Sequence, residues 1–231
     1  MKKAVGRGIR KSGVPREEIF ITTKLWPTVY EDENAIDKTL ERLGVDYIDL
    51  LLLHQPAGNY KNAYKMMEKA VREGKIKSIG LSNFEEQIDE VLEFAEIKPA
   101  VIQVEAHPYF PQTELKEKLK DIETRVMAWY PLGHGDASLR EEKIFTALAK
   151  KYNKSNVQII LRWHVQSENI VIPGATKEEH IKANIDIFDF ELTDEEMQEI
   201  AKINKNKRYH IPDPAVVASY ANMNLPMDEQ K

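Results

Sequence analysis

Two apolar runs set the pattern of this chain. IFITTKLW at 19–26 and IDLLLLHQP at 48–56 each have the length of a buried strand, and each breaks into a residue with proton chemistry, Lys24 in the first and His54 in the second. Between them Ile36, Leu40 and Leu43 recur at helical spacing and stop at Gly44, so a helix is predicted over 33–43. The two periods keep alternating along the sequence. Further helices are predicted over 3–12, closed by Gly13, and over 62–73, 86–94, 111–120, 142–152, 155–165 and 178–185. Strands are predicted over 19–23, 48–53, 78–81, 100–104, 125–129 and 170–172. Thr193 with Glu196 three residues on reads as a capping box opening a last helix. After Asn204 the pattern becomes irregular, with Pro212, Pro214 and Pro226.

Strands joined by helical crossovers are parallel and buried on both faces, which leaves an open doubly wound sheet or a closed barrel. No GxGxxG follows the first strand, which weakens the open dinucleotide-binding sheet and favours the barrel. In a parallel barrel, active sites collect at the C-terminal strand ends, where Lys24 and His54 stand. No linker, repeat or low-complexity tract interrupts the sequence, so residues 1–231 are read as one domain, with residues 205–231 as a tail over the barrel mouth or loose.

Composition narrows the classes further. The 231 residues are 42% hydrophobic and 31% charged, with a net charge of -5, and Lys and Arg alternate with Glu and Asp rather than gathering on a basic face. A nucleic-acid partner is therefore not expected. The absence of Cys excludes disulfides and cysteine nucleophiles and fits a reducing compartment. No apolar run approaches the roughly 20 residues of a membrane span, and no hydrophobic core follows Lys2-Lys3, so a cytoplasmic protein is expected. His107, His134, His164 and His180 lack the close spacing of zinc ligands, so no metal site is expected, and His107 is read as structural.

A strand-end Lys or a His after a Leu run is, taken alone, as readily a surface or packed residue as a catalytic one. Their setting changes that. ITTKLW, GVDYIDLLLLHQP, EGKIKSIGLSNF, IQVEAHPY, AWYPLGHG and IPGAT, in that order, resemble successive signatures of the aldo-keto reductases, from Gly6 to about Asn204. The resemblance implies a (β/α)8 barrel, NADPH or NADH bound at its C-terminal face, and reduction of aldehydes or ketones. It also implies catalytic roles for Lys24 and His54, two of the family's four active-site residues. The other two, an Asp and a Tyr on and after the second barrel strand, have no counterpart, because the sequence opens at the helix that follows them. The first two strands and the first helix are likewise without counterpart, so six parallel strands are expected, a shortened member of the family as from a late start codon or a cut chain.

Further positions carry over from the same resemblance. Ser82, Asn83 and Gln103 match residues that hydrogen-bond the nicotinamide carboxamide, and Trp129 an aromatic that stacks on its ring, against the plain alternative of a core Trp. Leu132 and Gly133, with Gly135, match the loop beneath the pyrophosphate. Thr176, Lys177 and His180 occupy the 2′-phosphate region, where His180 replaces the usual Arg, and Asn184 matches a position near the adenine. Trp26 would line the substrate pocket.

The chemistry shows what the missing pair would cost. Hydride delivery leaves an alkoxide that must be protonated as it forms, and a general acid contributes ~10²–10⁴ in rate. No Tyr of this sequence matches the place of the family's proton donor; Tyr30 lies beyond the first strand and Tyr109 beyond the fourth, each within possible reach of the cleft. Two functions stay open: an NAD(P)H-dependent carbonyl reductase, weak in this shortened form, or a non-catalytic cofactor-binding or assembly module. A metal-dependent hydrolase barrel is a third possibility and would require zinc. A gap in the barrel would expose two sheet edges and invite self-association.

Overall fold

The buried runs become one parallel sheet. In the computed structural model, which describes residues 2–223, six strands lie in the order β1 to β6. Along the chain the elements are α1 (Lys2–Ser12), β1 (Thr22–Leu25), α2 (Ala35–Leu43), β2 (Ile48–Leu53), α3 (Tyr60–Arg72), β3 (Ile76–Ser82), α4 (Ile88–Phe94) and β4 (Val101–Glu105). They continue with α5 (Thr113–Leu119), β5 (Arg125–Trp129), α6 (Ala137–Arg140), α7 (Lys143–Tyr152), α8 (Asn156–Gln166), β6 (Ile170–Val171), α9 (Glu178–Ile185), α10 (Asp194–Ala201) and α11 (Pro214–Ser219). None of the described helices is long and apolar enough to cross a membrane.

Contacts divide the chain into two compact units, residues 2–102 with 212–223, and residues 103–211. In the first, β1 pairs β2 in parallel, Lys24 opposite Leu52 and Leu25 opposite Leu53, and β2 pairs β3, Leu52 opposite Gly80. All six residues of β2 are buried, as a strand covered on both faces requires. Its one charge, Asp49, is neutralised by Arg16 at 2.7 Å and Lys77 at 3.3 Å and accepts the Ile21 N–H at 2.9 Å. Helix α2 stops where Gly44 takes the left-handed conformation, φ 67°, its N–H bonding the Leu40 and Glu41 carbonyls. Helix α1 lies so close to α2 that a Cβ on Gly6 would fall 1.9 Å from the Leu43 carbonyl oxygen, so only glycine fits there.

The second unit is held by an apolar cluster of Tyr109, Leu139, Phe145, Ile159, Ile160 and Trp163, closed by Leu192 and Ile200. Its β5 and β6 pair in parallel, Met127 opposite Ile170. Helix α8 begins at a capping box, Ser155 with Gln158, and α10 at the expected one, Thr193 with Glu196.

Two expectations shift. The strand expected at 19–23 begins at Thr22, and Phe20 is 70% exposed. Upstream of Thr22, side chains take over the pairing: Arg16 donates to the Ile19 carbonyl and Asp49 accepts the Ile21 N–H. The stretch after Asn204 is not wholly irregular either. Asp213 caps the amides of Ala215 and Val216, and Pro214, which needs no N–H at the first position, opens α11. Pro226, and the part of the expected tail beyond 223, lie outside the described residues.

Candidate active site

In the first unit, adjacent strand ends bring together most of the predicted catalytic corner. Lys24 is the next-to-last residue of β1 and His54 the first beyond β2. The ladder carries on into the loop, because the His54 amide donates to the Leu25 carbonyl at 3.0 Å. Burial lowers the Lys24 pKa, and among the described residues no carboxylate pairs with its ammonium. Lys2 comes down beside it from α1, its Nζ donating to the Lys24 carbonyl at 3.3 Å and the Thr39 hydroxyl at 3.2 Å, and burial, with the nearby Arg42, pulls its pKa to about 8.

These cations act on His54. Burial first, then the charges of Lys24 and Lys2, pull its pKa from 6.5 to about 4, so the imidazole is neutral near pH 7. Trp26 meets its ring edge to face, centroids 4.9 Å apart, and the Tyr220 ring lies tilted against Trp26 at 5.1 Å. Asn83, held at φ 64°, donates through Nδ2 to the His54 carbonyl and to the buried Ser82 hydroxyl, both at 3.4 Å. Lys24, Trp26, His54, Ser82 and Asn83 thus form one cluster.

Tyr30 stands inside this corner in a different role. It is fully buried, its hydroxyl donates to the Gln55 carbonyl at 3.0 Å, and it accepts the amides of His54 at 2.9 Å and Gln55 at 3.2 Å. Burial raises its pKa further. The phenol is a brace for the His54 loop, with its proton committed to backbone. Tyr109, in the second unit, is committed as well, its hydroxyl lying 2.6 Å from a Glu142 carboxylate oxygen and 3.1 Å from the Ser138 carbonyl.

The second unit carries the other predicted residues. Gln103 is 4% exposed on β4, and its Oε1 has no partner, an acceptor waiting for a donor. Trp129 ends β5 with one ring face covered by Tyr130, stacked at 3.8 Å and 20°, while His210 meets it edge on at 5.3 Å. Tyr130 reaches that position through a left-handed backbone, φ 54°, a conformation uncommon for a bulky residue. Leu132 precedes Gly133, whose missing Cβ would meet Leu139 at 2.5 Å and the Tyr209 ring at 3.1 Å; Gly135 faces open space. Thr176, Lys177 and His180 are exposed at the start of α9, and Asn184 is half-buried further along it. Lys177 and His180 both approach Glu179, at 3.7 and 3.8 Å, so an acid accompanies the two basic groups.

Sequence reasoning missed a polar node in this unit. Glu105, 1% exposed, accepts from His107 Nε2 at 3.0 Å and from the amides of Tyr209 at 2.6 Å and His210 at 2.9 Å. Burial would raise its pKa, but these donors outweigh burial and leave it lowered. Asp136 joins the same strap, bonded by the Tyr209 hydroxyl at 2.6 Å and Lys207 at 2.9 Å, which hold its carboxyl below the usual range. The readable signal was an acid two residues before His107, at the end of a strand that is buried throughout.

With this geometry in place, likeness to known proteins can be weighed. The sequence matches the aldo/keto reductase family over residues 2–205. It is 45% identical to the glyoxal reductase of Bacillus subtilis (strain 168), an alignment covering 90% of this chain and 76% of the relative. It is 40% identical to the 9,11-endoperoxide prostaglandin H2 reductase of Trypanosoma cruzi, over 90% and 75%. Among solved structures, an aldo-keto reductase from a Medee basin deep-sea metagenome library superposes with a TM-score of 0.87 at 38% identity, over 91% of this chain and 80% of that one. An aldo-keto reductase of Bombyx mori in complex with NADP superposes at 0.83 with 36% identity, over 90% and 76%. The six-stranded parallel sheet, the ordered signatures and these matches agree, and the chain belongs to the aldo/keto reductase family, whose members are oxidoreductases.

Proposed function

We propose that this chain binds NADPH or NADH together with an aldehyde or ketone and reduces the carbonyl, slowly, because the hydroxyls of Tyr30 and Tyr109 are both committed to other partners. The observation that carries the reading is the Lys24–His54 corner, where a cation and a neutral imidazole stand at adjacent strand ends beside the apolar ring of Trp26. A bound nicotinamide would supply the hydride. His54, as a neutral N–H donor, would orient the carbonyl oxygen, and the Lys24 charge would stabilise the alkoxide developing on it. Trp26 would line the substrate pocket. In the first unit Ser82 and Asn83 offer a hydroxyl and an amide to a carboxamide; in the second the buried, unpartnered Gln103 Oε1 fits its N–H, and Trp129 offers the ring face that Tyr130 leaves uncovered. Leu132 and Gly133 would lie along the pyrophosphate, and Asn184 near the adenine. Thr176, Lys177 and His180 would meet a 2′-phosphate, but with Glu179 among them and no Arg fork, discrimination of NADPH from NADH is small.

The test separates binding from turnover. NADPH and NADH are titrated by tryptophan quenching, and oxidation is then followed with a reactive aldehyde. Both cofactors are expected to bind, Gln103→Ala to weaken binding by on the order of tenfold, and oxidation to be slow but dependent on aldehyde and on Lys24. Absence of binding by either cofactor would overturn the reading. One observation favours a second reading, a cofactor-binding module without turnover: the hydroxyls of Tyr30 and Tyr109 are both committed. Binding of cofactor with no aldehyde-dependent oxidation would select it.

A further inference from the structure

A cavity of about 760 Å³ opens in the second unit, and none of the candidate site residues lines it. Its volume lies within the range of roughly 300–1,000 Å³ that small-molecule sites occupy. Lys116 and Leu119, three residues apart on α5, share a face that turns toward it, and Trp163 on α8, Met197 on α10 and Val126 on β5 complete an apolar floor. Leu119 and Trp163 are buried, at 1% and 4% exposure. Charge is spread unevenly around this wall. Glu117, Lys120, Glu123, Arg125 and Glu168 also line it, and all five are exposed. Arg125 is paired with Glu168 at 2.6 Å, and Lys120 lies 3.8 Å from Glu117. Lys116 alone of the charged lining residues is drawn inward, and burial lowers its pKa to about 8. Its Nζ donates to the Ser167 carbonyl at 3.1 Å, just beyond the end of α8, and the acid that acts on its charge, Glu168, is the one already paired with Arg125. An ammonium has three donors, and that carbonyl takes one.

We propose that this cavity binds a monocarboxylate with an apolar body, the carboxylate on Lys116 and the body against Trp163, Leu119 and Met197. A carboxylate gives the ammonium back the partner that desolvation took from it, whereas a neutral or cationic ligand leaves that cost in place. One negative charge is the limit. The guanidinium that could fork a phosphate is held by Glu168, and the exposed Glu117 and Glu123 oppose a second charge on the ligand. The site is independent of the reductase reading, and either stands if the other falls.

The probe is 4-phenylbutyrate, titrated by calorimetry into the full chain near pH 7 and compared with 4-phenylbutyramide, which has the same body and no charge. The acid is expected to bind on the order of tenfold to a hundredfold tighter than the amide, the range of a hydrogen bond to a charged group. Lys116→Met should abolish that preference with far-ultraviolet circular dichroism unchanged. Lys116→Arg should keep the preference and change its pH dependence. In the parent, affinity for the acid should fall about tenfold per pH unit above about pH 8, as the free amine loses its proton, whereas in Lys116→Arg it should hold. If Lys116→Met does not fold, that pH profile decides the question. Lys24→Met, which removes the cation of the candidate active site, should leave the preference intact. Equal binding of acid and amide, no binding of the acid at millimolar concentration, or a preference that survives Lys116→Met and disappears in Lys24→Met would each overturn the proposal. A pH profile of the parent that matches Lys116→Arg would do the same.

Discussion

Glu105 and Lys24 are both charges at the C-terminal ends of strands, and the chain treats them oppositely. Glu105 is surrounded by donors: an imidazole and two backbone amides fill its oxygens, and its pKa falls despite burial. Lys24 is desolvated with no acid among the described residues, and its charge adds to the burial of His54 in lowering that pKa to about 4. A buried charge with every partner supplied is a structural fastener. One left without partners is a stored electrostatic cost, and such costs gather where chemistry is done.

The sharpest way to break this contrast is to remove each charge in turn. Glu105→Ala would strand the His107 ring and the amides of Tyr209 and His210, and should cost about 3–5 kcal/mol of unfolding free energy, the range for removing one partner of a buried pair. Lys24→Met removes a desolvated charge and no partner, so stability should stay within about 1 kcal/mol of the parent or rise. Urea midpoints measure both. Equal losses would mean that Lys24 is as fully satisfied as Glu105.

Tyr30 probes the same corner from below. Tyr30→Phe keeps the ring but leaves the Gln55 amide without its hydroxyl partner, while the His54 amide retains Leu25 and the Gln55 carbonyl retains the Ala57 N–H. The expected loss is about 1–3 kcal/mol, the cost of buried polar groups left unsatisfied. Carbonyl chemistry should fall too, because the His54 loop loses its brace. If instead stability holds and only turnover falls, the hydroxyl is a proton donor rather than a brace.

How far the sequence reached follows from the same physics. The fully apolar run of β2, the periodicity of α2 and the Thr193–Glu196 capping box are local patterns, and each appeared where it was expected. Lys24 and His54 were legible because each breaks an apolar run at its end. The start of β1 was misjudged by three residues because Arg16 and Asp49, distant in sequence, satisfy the backbone ahead of Thr22. The strap of residues 205–210 was not legible at all. Its fastener, Glu105, lies about a hundred positions upstream, and no periodic signal joins the two. The commitment of Tyr30 was hidden in the same way, since it depends on where the Gln55 backbone turns.

Acid separates the two regions in a further way. The His54 pKa is lowered on folding, so between pH 6.5 and about 4 the unfolded chain binds more protons there and stability falls as pH falls. Because the ring is only partly buried, the loss is discounted to on the order of 1–2 kcal/mol. His164, buried and pulled down to about 3, contributes in an overlapping window. Glu105 acts later: its lowered pKa adds stability above about pH 4.5 that is lost only below it. His54→Gln should flatten the slope of melting temperature against pH between 6.5 and 4 in part, leaving the His164 share and the steeper fall below pH 4.5. An unchanged slope would mean that folding does not lower the His54 pKa.

The smallest effect tests what fastens the strap. Tyr209 is held twice, by its amide on the buried Glu105 and by its hydroxyl on Asp136, which also binds Lys207 and the Ser138 amide. Tyr209→Phe removes the second hold only, at a half-exposed position where Asp136 keeps its other donors. The expected cost is about 0.5–1 kcal/mol, and the salt-sensitive part of the strap's stability, carried by Lys207 on Asp136, should persist. Hydrogen exchange at the Tyr209 and His210 amides reads the result locally. If Glu105 is the fastener, those amides stay protected in Tyr209→Phe and lose protection in Glu105→Ala. If both variants expose them equally, the strap is held from its surface end, and the contrast between a filled and an unfilled buried charge no longer explains why residues 205–210 stay in place.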